Sequence, residues 1–158
     1  MTVDQHAFRA VLGRFATGVT IVTAIGPGDV DVGITVSAFS SVSLDPPLVS
    51  ICIDHSASVY ETVSRATHFV VNILAEGQEA IARRFAESIP SRLDGIGYER
   101  GQTGPAVLLD VLGFVECEVV MRYEAGDHDI IIGAVEVAVA NEGKPLLYYR
   151  GGYAQLER

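Results

Sequence analysis

The sequence predicts a mainly β protein with a few helices, arranged as an antiparallel barrel, and three observations support this fold class. About seven segments have the alternating or β-branched pattern of strands, whereas only about three have helical spacing. These segments do not follow the regular strand–helix–strand order of a parallel sheet. The chain has 158 residues, of which 49% are apolar, enough for one hydrophobic core. We therefore expect a single domain over residues 1–158.

Three helices are predicted from apolar residues spaced three and four positions apart. One face of the first helix carries a set of large apolar side chains: Phe8, Val11, Leu12 and Phe15. Asp4 precedes this helix and is suited to cap it. The second helix is predicted over 56–66 and the third over 76–87.

The predicted strands are rich in β-branched and apolar residues and are separated by turn signals. They cover 17–24, 32–38, 48–53, 68–74, 111–123, 129–141 and 146–150. A Gly-Pro-Gly-Asp turn at 26–29 joins the first two strands into a hairpin, and 124–128 forms the turn between the two longest. Residues 91–105 contain four glycines and are predicted to form a long loop.

Charge and cysteine content exclude several classes of function. Acidic residues outnumber basic residues 20 to 11, which gives a formal charge of −9 and makes nucleic acid and anionic membrane surfaces poor partners. The two cysteines lie far apart in the sequence, so neither a zinc site nor a disulfide framework is expected. No apolar run is long enough to span a membrane, and the N-terminus does not resemble a secretion signal. We expect a soluble cytoplasmic protein.

The densest polar segment lies between residues 35 and 43. Five hydroxyl side chains occupy these nine positions: Thr35, Ser37, Ser40, Ser41 and Ser43. Hydroxyls and free backbone N–H groups at a strand end can hold a phosphate or a polyol chain. The alternative interpretation is an edge strand with a polar face.

Two further groups could bind an anion. Ser56 and Ser58 open the second predicted helix, where N–H groups and the helix dipole would favour negative charge. Arg83 and Arg84 on the third helix offer guanidinium groups for a phosphate. Either group could equally be the solvent-facing side of a helix.

Of the four histidines, His128 is the strongest candidate for a functional role. It lies in Gly126-Asp127-His128-Asp129, at the turn between the two long strands, where a charged tip can face a ligand. An ordinary turn is the alternative, because turns favour Gly and Asp. His55 is interpreted as part of a helix entry, and His6 and His68 as structural or surface residues.

Together these segments resemble the short-chain flavin reductases, the reductase components of two-component flavin-dependent monooxygenases. The resemblance is most specific over residues 33–49, which begin Gly-Ile-Thr-Val-Ser-Ala-Phe and end Leu-Asp-Pro-Pro-Leu-Val. It extends in order over nearly the whole chain, through 8–9, 17–23, 69–74, 84–86, 126–128 and 145–153.

The resemblance implies a Greek-key-like split β-barrel of the FMN-binding type, usually a homodimer. It implies an NAD(P)H-dependent oxidoreductase that reduces FAD or FMN by direct hydride transfer and supplies reduced flavin to a separate monooxygenase. Such chemistry requires the protein to position the two ring systems, so neither a catalytic side chain nor a metal is expected.

The resemblance also assigns the ligand-binding residues. The residues expected along the flavin are Thr35, Val36, Ser37, Ala38, Ser40 and Ser41. Those expected at its ribityl and phosphate end are Cys52, Ile53, Asp54, Ser58, Arg84 and Phe85. The nicotinamide nucleotide would be held by His128, Gly152 and Tyr153.

Two other functions are compatible with the same fold. One is an electron-transfer flavoprotein that keeps FMN bound and does not oxidise a nicotinamide, although the Gly-Asp-His turn counts against it. The other is an oxidase similar to pyridoxamine-phosphate oxidase, which the single lysine, Lys144, disfavours because phosphate ligands are commonly basic. No basic cluster near His128 is available for a 2′-phosphate, so NADH is preferred to NADPH.

Overall fold

The computed structural model describes residues 2–87 and 93–157. Three α-helices are present in this part of the chain: α1 (Gln5–Leu12), α2 (Tyr60–Arg65) and α3 (Glu79–Phe85). Twelve strands are present there: β1 (Thr17–Gly18), β2 (Thr20–Gly26), β3 (Val30–Val36), β4 (Phe39–Leu44), β5 (Pro47–Asp54), β6 (His68–Ile73), β7 (Tyr98–Arg100), β8 (Ala106–Leu108), β9 (Gly113–Ala125), β10 (His128–Ala140), β11 (Leu146–Tyr149) and β12 (Gly152–Gln155). Short 3₁₀ turns occupy Pro27–Asp29 and Glu76–Gln78.

Seven of the strands form one antiparallel sheet in the order β3-β2-β6-β9-β10-β5-β4. A second sheet has the order β1-β11-β12, and β7 pairs with β8. The prediction of a mainly β, antiparallel protein is confirmed. Among the described strands, β3 and β4 lie at the two edges of the large sheet, so its hydrogen bonding does not close into a barrel.

Two hydrophobic cores cover the two faces of β2. One core contains Val22 and Ala24 of this strand and receives Val63 from α2. The other contains Val19 and Ile21 and receives side chains from α3 and β8. Residues 20–24 are all buried as a result, which is typical of a strand covered on both faces.

Polar groups inside this packing have partners. The hydroxyl of Thr20 donates to the Val36 carbonyl and that of Thr23 to the Ala106 carbonyl, both at 2.6 Å. The side chain of Asn72 on β6 is fully buried; its Nδ2 donates to the Ile21 carbonyl at 3.0 Å, and its Oδ1 accepts from the Leu108 N–H at 2.9 Å. Since an unpaired buried polar group is costly, these bonds specify how β2, β6 and β8 fit together.

The predicted helices are present, but with shorter bounds. Asp4 caps α1 by accepting from the Ala7 N–H at 2.8 Å, as expected. The prediction that the second helix starts at Ser56 was wrong, because α2 begins at Tyr60. Asp54 accepts from both the N–H and the hydroxyl of Ser56, at 2.8 Å each, and this turn replaces the first helical hydrogen bonds.

Several short strands lie in segments that were predicted as one of two alternatives, as a loop or not at all. Residues 39–44 form the edge strand β4, so the polar-edge interpretation of this segment is confirmed for its second half. The predicted loop at 91–105 contains β7, which pairs with β8, while residues 91 and 92 lie outside the described part of the chain. Strand β12 was not predicted; it pairs with β11 after a turn in which Arg150 and Gly151 have φ of 52° and 79°. In the described residues, no helix has the length and apolar character needed to cross a bilayer.

Gly133 in β10 is required by close packing. A Cβ added there would lie 2.6 Å from Cζ of Phe69 and 2.7 Å from Cβ of Cys117, and both neighbours are buried. We expect Gly133→Ala to lower the free energy of unfolding by about 1–3 kcal/mol, measured by chemical denaturation. Gly77→Ala is the control, because a Cβ there meets nothing within 4 Å. Equal stability of the two variants would contradict this account.

Candidate active site

A cleft of about 380 Å³ lies where the two hydrophobic cores meet, a size within the range of small-molecule sites of about 300–1,000 Å³. Three walls surround it: the end of β3, the turn after β5, and the end of α3 with β11 and β12. The lining residues are Ile34, Thr35, Ser37, Asp54, Ser56, Ala57, Ser58, Phe85, Ala86, Glu87, Tyr148 and Tyr153.

The wall formed by β3 is held against α3. The Thr35 hydroxyl donates to the Ala82 carbonyl at 2.6 Å, which fixes the strand end to the last turns of that helix. Phe85 is 1% exposed and packs against Gly33, where an added Cβ would lie 3.2 Å from the ring. The absence of a side chain at Gly33 therefore lets the aromatic ring pack between strand and cleft.

The second wall is the turn over residues 54–58. The N–H of Ser56 is the main cause that holds the pKa of Asp54 below its ordinary value; the Ser56 hydroxyl and the nearby imidazole of His128 act in the same direction. The His55 N–H donates to the Asp127 carbonyl at 2.9 Å and thereby joins this turn to the β9–β10 turn. Asp54 is therefore an ionised acceptor at neutral pH.

Aromatic rings form the third wall. The rings of Tyr148 and Tyr153 meet edge to face, with centroids 5.4 Å apart. The guanidinium of Arg83 lies 5.0 Å from the centroid of Tyr153 and also pairs with Glu79 at 3.3 Å. Burial is the main cause that raises the pKa of Tyr153, so its hydroxyl stays protonated and can donate.

Carboxylates are the charged groups of the lining. Asp54 and Glu87 face the cleft, and none of its described lining residues is basic. An anionic ligand would consequently depend on hydroxyl and backbone N–H donors rather than on ion pairs. Flat aromatic surface combined with such donors suits a ligand that has a ring system and a polyol or phosphate chain.

Six of the fifteen predicted site residues line the cleft. They come from four different segments of the chain: Thr35, Ser37, Asp54, Ser58, Phe85 and Tyr153. The expectation that these distant segments converge at one site therefore agrees with the structure.

The remaining predicted residues lie around the cleft rather than in its lining. Val36 and Ile53 are buried in the first core, so only their backbone groups could meet a ligand. The backbone N–H of Cys52 donates to the Ala38 carbonyl at 3.1 Å, while Ser40 and Ser41 are exposed on β4.

Arg84 and Gly152 directly precede the lining residues Phe85 and Tyr153, and His128 pairs with the lining residue Asp54. Arg84 donates to the Asp94 carbonyl at 2.7 Å, and Gly152 pairs with Tyr149 in the β11–β12 ladder.

His128 lies directly opposite Asp54 in the β5–β10 ladder. Residues opposite each other in an antiparallel pair project to the same face of the sheet, so the imidazole lies beside the carboxylate that lines the cleft. Its Nδ1 is 2.7 Å from Oδ1 of Asp127, and its side chain is 40% exposed. His128 is therefore placed at the rim of the cleft with a ring edge open to solvent.

Several residues of the site were missed by the sequence analysis. Ser56 was recognised as an anion-binding candidate because it was expected to open a helix, but that helix begins at Tyr60. Ile34, Ala86 and Tyr148 lie in segments that carry the resemblance but were not assigned to the site, and no pattern indicated Ala57 or Glu87. A buried carboxylate, Asp129, was also missed, although it adjoins the Gly-Asp-His turn.

Comparison with known proteins gives consistent results. Residues 12–157 match the flavin reductase like domain. A flavin reductase of Pseudomonas putida is 40% identical over 152 residues, covering 96% of this chain and 89% of that protein. The reductase subunit HsaB of a flavin-dependent monooxygenase from Mycobacterium tuberculosis (strain H37Rv) is 34% identical, covering 98% and 84%.

A solved structure has the same fold. The NADH:FAD oxidoreductase SgcE6 of Streptomyces globisporus C-1027, in complex with NAD and FAD fragments, superposes with a TM-score of 0.91 at 33% identity, covering 99% of this chain and 97% of that one. With a family match over residues 12–157, relatives similar over nearly their full length, and a cleft formed by the segments that carry the resemblance, the chain belongs to the flavin reductase like domain family.

Proposed function

We propose that this protein is an NADH-dependent flavin reductase that reduces FAD or FMN. The observation that carries the proposal is the cleft itself, which hydroxyl residues and aromatic residues line together: Thr35, Ser37, Ser58, Phe85, Tyr148 and Tyr153. Its relatives include flavin reductases and an NADH:FAD oxidoreductase, which supports the same activity.

The residues around the cleft fit a flavin. The backbone and hydroxyls of residues 35–41 would lie along the ring edge and the ribityl chain, and the turn at 54–58 would meet the ribityl and phosphate end. Bound flavin supplies a hydride acceptor, so the protein needs to hold and orient both partners rather than donate a proton.

The nicotinamide nucleotide is assigned to the rim of the same cleft, between the β9–β10 turn and the β11–β12 turn. His128 lies beside Asp54 at that rim, and Tyr153 forms part of the aromatic wall. These positions would allow the two ring systems to stack in sequence. Gly152 would permit close approach of the nucleotide backbone.

We further propose that reduced flavin passes to a separate monooxygenase component. One relative, matched over 84% of its length, is the reductase subunit of a flavin-dependent monooxygenase, which supports this partner class. An electron-transfer flavoprotein or an oxidase of the pyridoxamine-phosphate type is less well supported, because the relatives named above are reductases.

The large sheet is proposed to curl into a split barrel. Val32 and Val36 of the edge strand β3 share one hydrophobic core with Ile51 and Ile53 of β5, which lies near the opposite edge. A flat sheet would separate β3 from β5 by the width of four other strands. Their shared core supports a curled sheet with a gap in its hydrogen bonding.

A homodimer is proposed from the exposed apolar surface of α1. None of the eight residues of this helix is buried, and Phe8, Val11 and Leu12 are 55%, 69% and 51% exposed. A helix this short is marginal in water without packing, so its apolar face requires a cover. Val42 and Leu44 on the edge strand β4 are also exposed, and a second copy of the chain could cover both surfaces.

The first test is an aerobic assay of NADH oxidation with and without added FAD, FMN or riboflavin. We expect oxidation to be accelerated only when flavin is available, because the proposed role of the protein is to bring the two ring systems together. The measurement is the decrease in NADH absorbance under each condition. A rate that does not depend on added or bound flavin would overturn the proposed function.

The second test concerns His128. His128→Ala should raise the NADH Michaelis constant about five- to tenfold, the effect of about 1 kcal/mol from one lost hydrogen bond or ring contact. The flavin constant should remain nearly unchanged. His6→Ala is the matched control, because His6 is exposed on α1 and does not line the cleft. An altered flavin constant beside an unchanged NADH constant would show that the two ligands are assigned the wrong way round.

The third test measures oligomeric state by sedimentation velocity. Wild type should sediment as a dimer, and Val11→Glu should shift it towards monomer because it places a charge on the apolar face of α1. His6→Glu introduces the same charge on the opposite side of the helix and should leave the dimer intact. Monomeric wild type at micromolar concentration would contradict the proposal.

A further inference from the structure

A buried carboxylate lies behind the wall of the cleft that is formed by residues 54–58. Asp129 follows His128 in β10, so its side chain projects from the opposite face of the strand, away from the rim. The side chain is only 12% exposed. The proposed reduction of flavin gives this group no chemical task, and burying an ionised acid is costly unless it has partners.

Two side chains satisfy both oxygens of Asp129. His55 Nε2 donates to Oδ1 at 2.9 Å, and the Tyr60 hydroxyl donates to Oδ2 at 2.8 Å. The two donor rings also meet edge to face, with centroids 5.0 Å apart. One carboxylate on β10 therefore holds the residue after β5 and the first residue of α2 at the same time.

The segment between these two donors contains the residues that line the cleft. Asp54, Ser56, Ala57 and Ser58 all lie within or beside the span from His55 to Tyr60. The segment has no regular secondary structure of its own, since β5 ends at Asp54 and α2 begins at Tyr60. Its conformation depends on turns and on whatever anchors its two ends.

We propose that Asp129 is a positioning residue of the flavin site, which fixes the 54–58 segment at the ribityl and phosphate end by holding His55 and Tyr60. This inference rests on the proposed function. Asp129 does not touch the ligand; it determines where the donors of the 54–58 segment lie.

The surrounding charges support an ionised pair. The hydrogen bond from His55 is the main cause that lowers the pKa of Asp129, and the Tyr60 hydroxyl and the charge of Arg122 on β9 add to it. The same hydrogen bond is the main cause that raises the pKa of His55, assisted by the charges of Asp129, Glu124 and Asp54 and opposed by burial. The pKa of Tyr60 is also raised, chiefly by its hydrogen bond to Asp129, so this hydroxyl remains a donor.

The directions of the two pKa shifts define the pH range in which Asp129 and His55 are both charged. A lowered pKa of Asp129 stabilises the folded protein above the ordinary value of 3.8, and this contribution is lost as pH falls through the lowered pKa. A raised pKa of His55 stabilises it below the ordinary value of 6.5, and this contribution is lost as pH rises through the raised pKa. The charged pair therefore persists from acidic pH to above 6.5.

The experiment compares Asp129→Asn with wild type in steady-state assays using FMN and riboflavin as alternative flavins. The Michaelis constant for FMN should rise about five- to tenfold, because the donors that meet the phosphate end are no longer held in place. The constant for riboflavin, which has no phosphate, should change less than twofold, and the maximal rate and the NADH constant should stay close to wild type. A general loss of structure would instead affect both flavins alike.

Asp31→Asn is the matched control. Asp31 is also a strand carboxylate that holds a cation and a tyrosine, since it accepts from Arg100 at 2.6 Å and from the Tyr98 hydroxyl at 3.4 Å, but it does not line the cleft. This variant should leave the ratio of the FMN and riboflavin constants unchanged. Should Asp129→Asn fold poorly, Tyr60→Phe removes only one of the two hydrogen bonds and should change that ratio in the same direction, by a smaller factor.

The retained FMN affinity of a conservative variant separates positioning from a passive structural role, and Tm reports the charge of the pair. His55→Gln keeps an N–H donor for Asp129 and should preserve more FMN affinity than His55→Ala. The difference in Tm between wild type and Asp129→Asn should be largest while the pair is charged and should shrink as pH rises through the raised pKa of His55.

The possible outcomes distinguish the two proposals. Equal changes for FMN and riboflavin, or an unchanged FMN constant in a folded Asp129→Asn variant, would overturn the positioning role while leaving flavin reduction intact. Absence of flavin-dependent NADH oxidation in wild type would instead overturn the proposed function. A rise in the Michaelis constant that is confined to FMN, with Asp31→Asn unchanged, would support both the positioning role and the proposed function.

Discussion

Strand β2 is buried on both faces, and this burial governs how the other elements pack. Val22 and Ala24 project into one core, while Ile21 and the preceding Val19 project into the other, so elements from both sides must cover the strand. Its polar side chains cannot reach water, and Thr20 and Thr23 satisfy their hydroxyls on neighbouring backbone carbonyls. Any element that approaches β2 must therefore fit both its apolar surface and its hydrogen-bond donors.

The position of the cleft follows from this double packing. The second core holds α3 and Phe85, and the hydroxyl of Thr35 fixes the end of β3 to the same helix. The first core holds β5 through Ile51 and Ile53, which brings Asp54 and the turn after it to the opposite wall. The cleft thus lies between the two hydrophobic cores, and its walls are set by packing rather than by the loops alone.

Electrostatics explains why a strongly acidic protein can present such a site. The lining contributes carboxylates from Asp54 and Glu87, and the described basic groups nearby are occupied, as Arg83 is with Glu79 and Tyr153. Recognition of an anionic chain then depends on well-placed neutral donors, which are effective only when their backbone is held in one conformation. The anchoring of the 54–58 segment from behind by Asp129 meets this requirement.

The mainly β class and the Asp4-capped first helix were predictable from the sequence, and the resemblance assigned Thr35, Asp54, Phe85 and Tyr153 to one site. Each of these depends on local periodicity or on motifs that keep their order along the chain. The start of α2 at Tyr60, the bond from Arg84 to a backbone carbonyl, and the cluster of His55, Tyr60 and Asp129 became visible in the folded chain alone. The three members of that cluster are brought together by the pairing of β5 with β10, and a contact across such a ladder leaves no periodic signal in the sequence because it joins residues 74 positions apart.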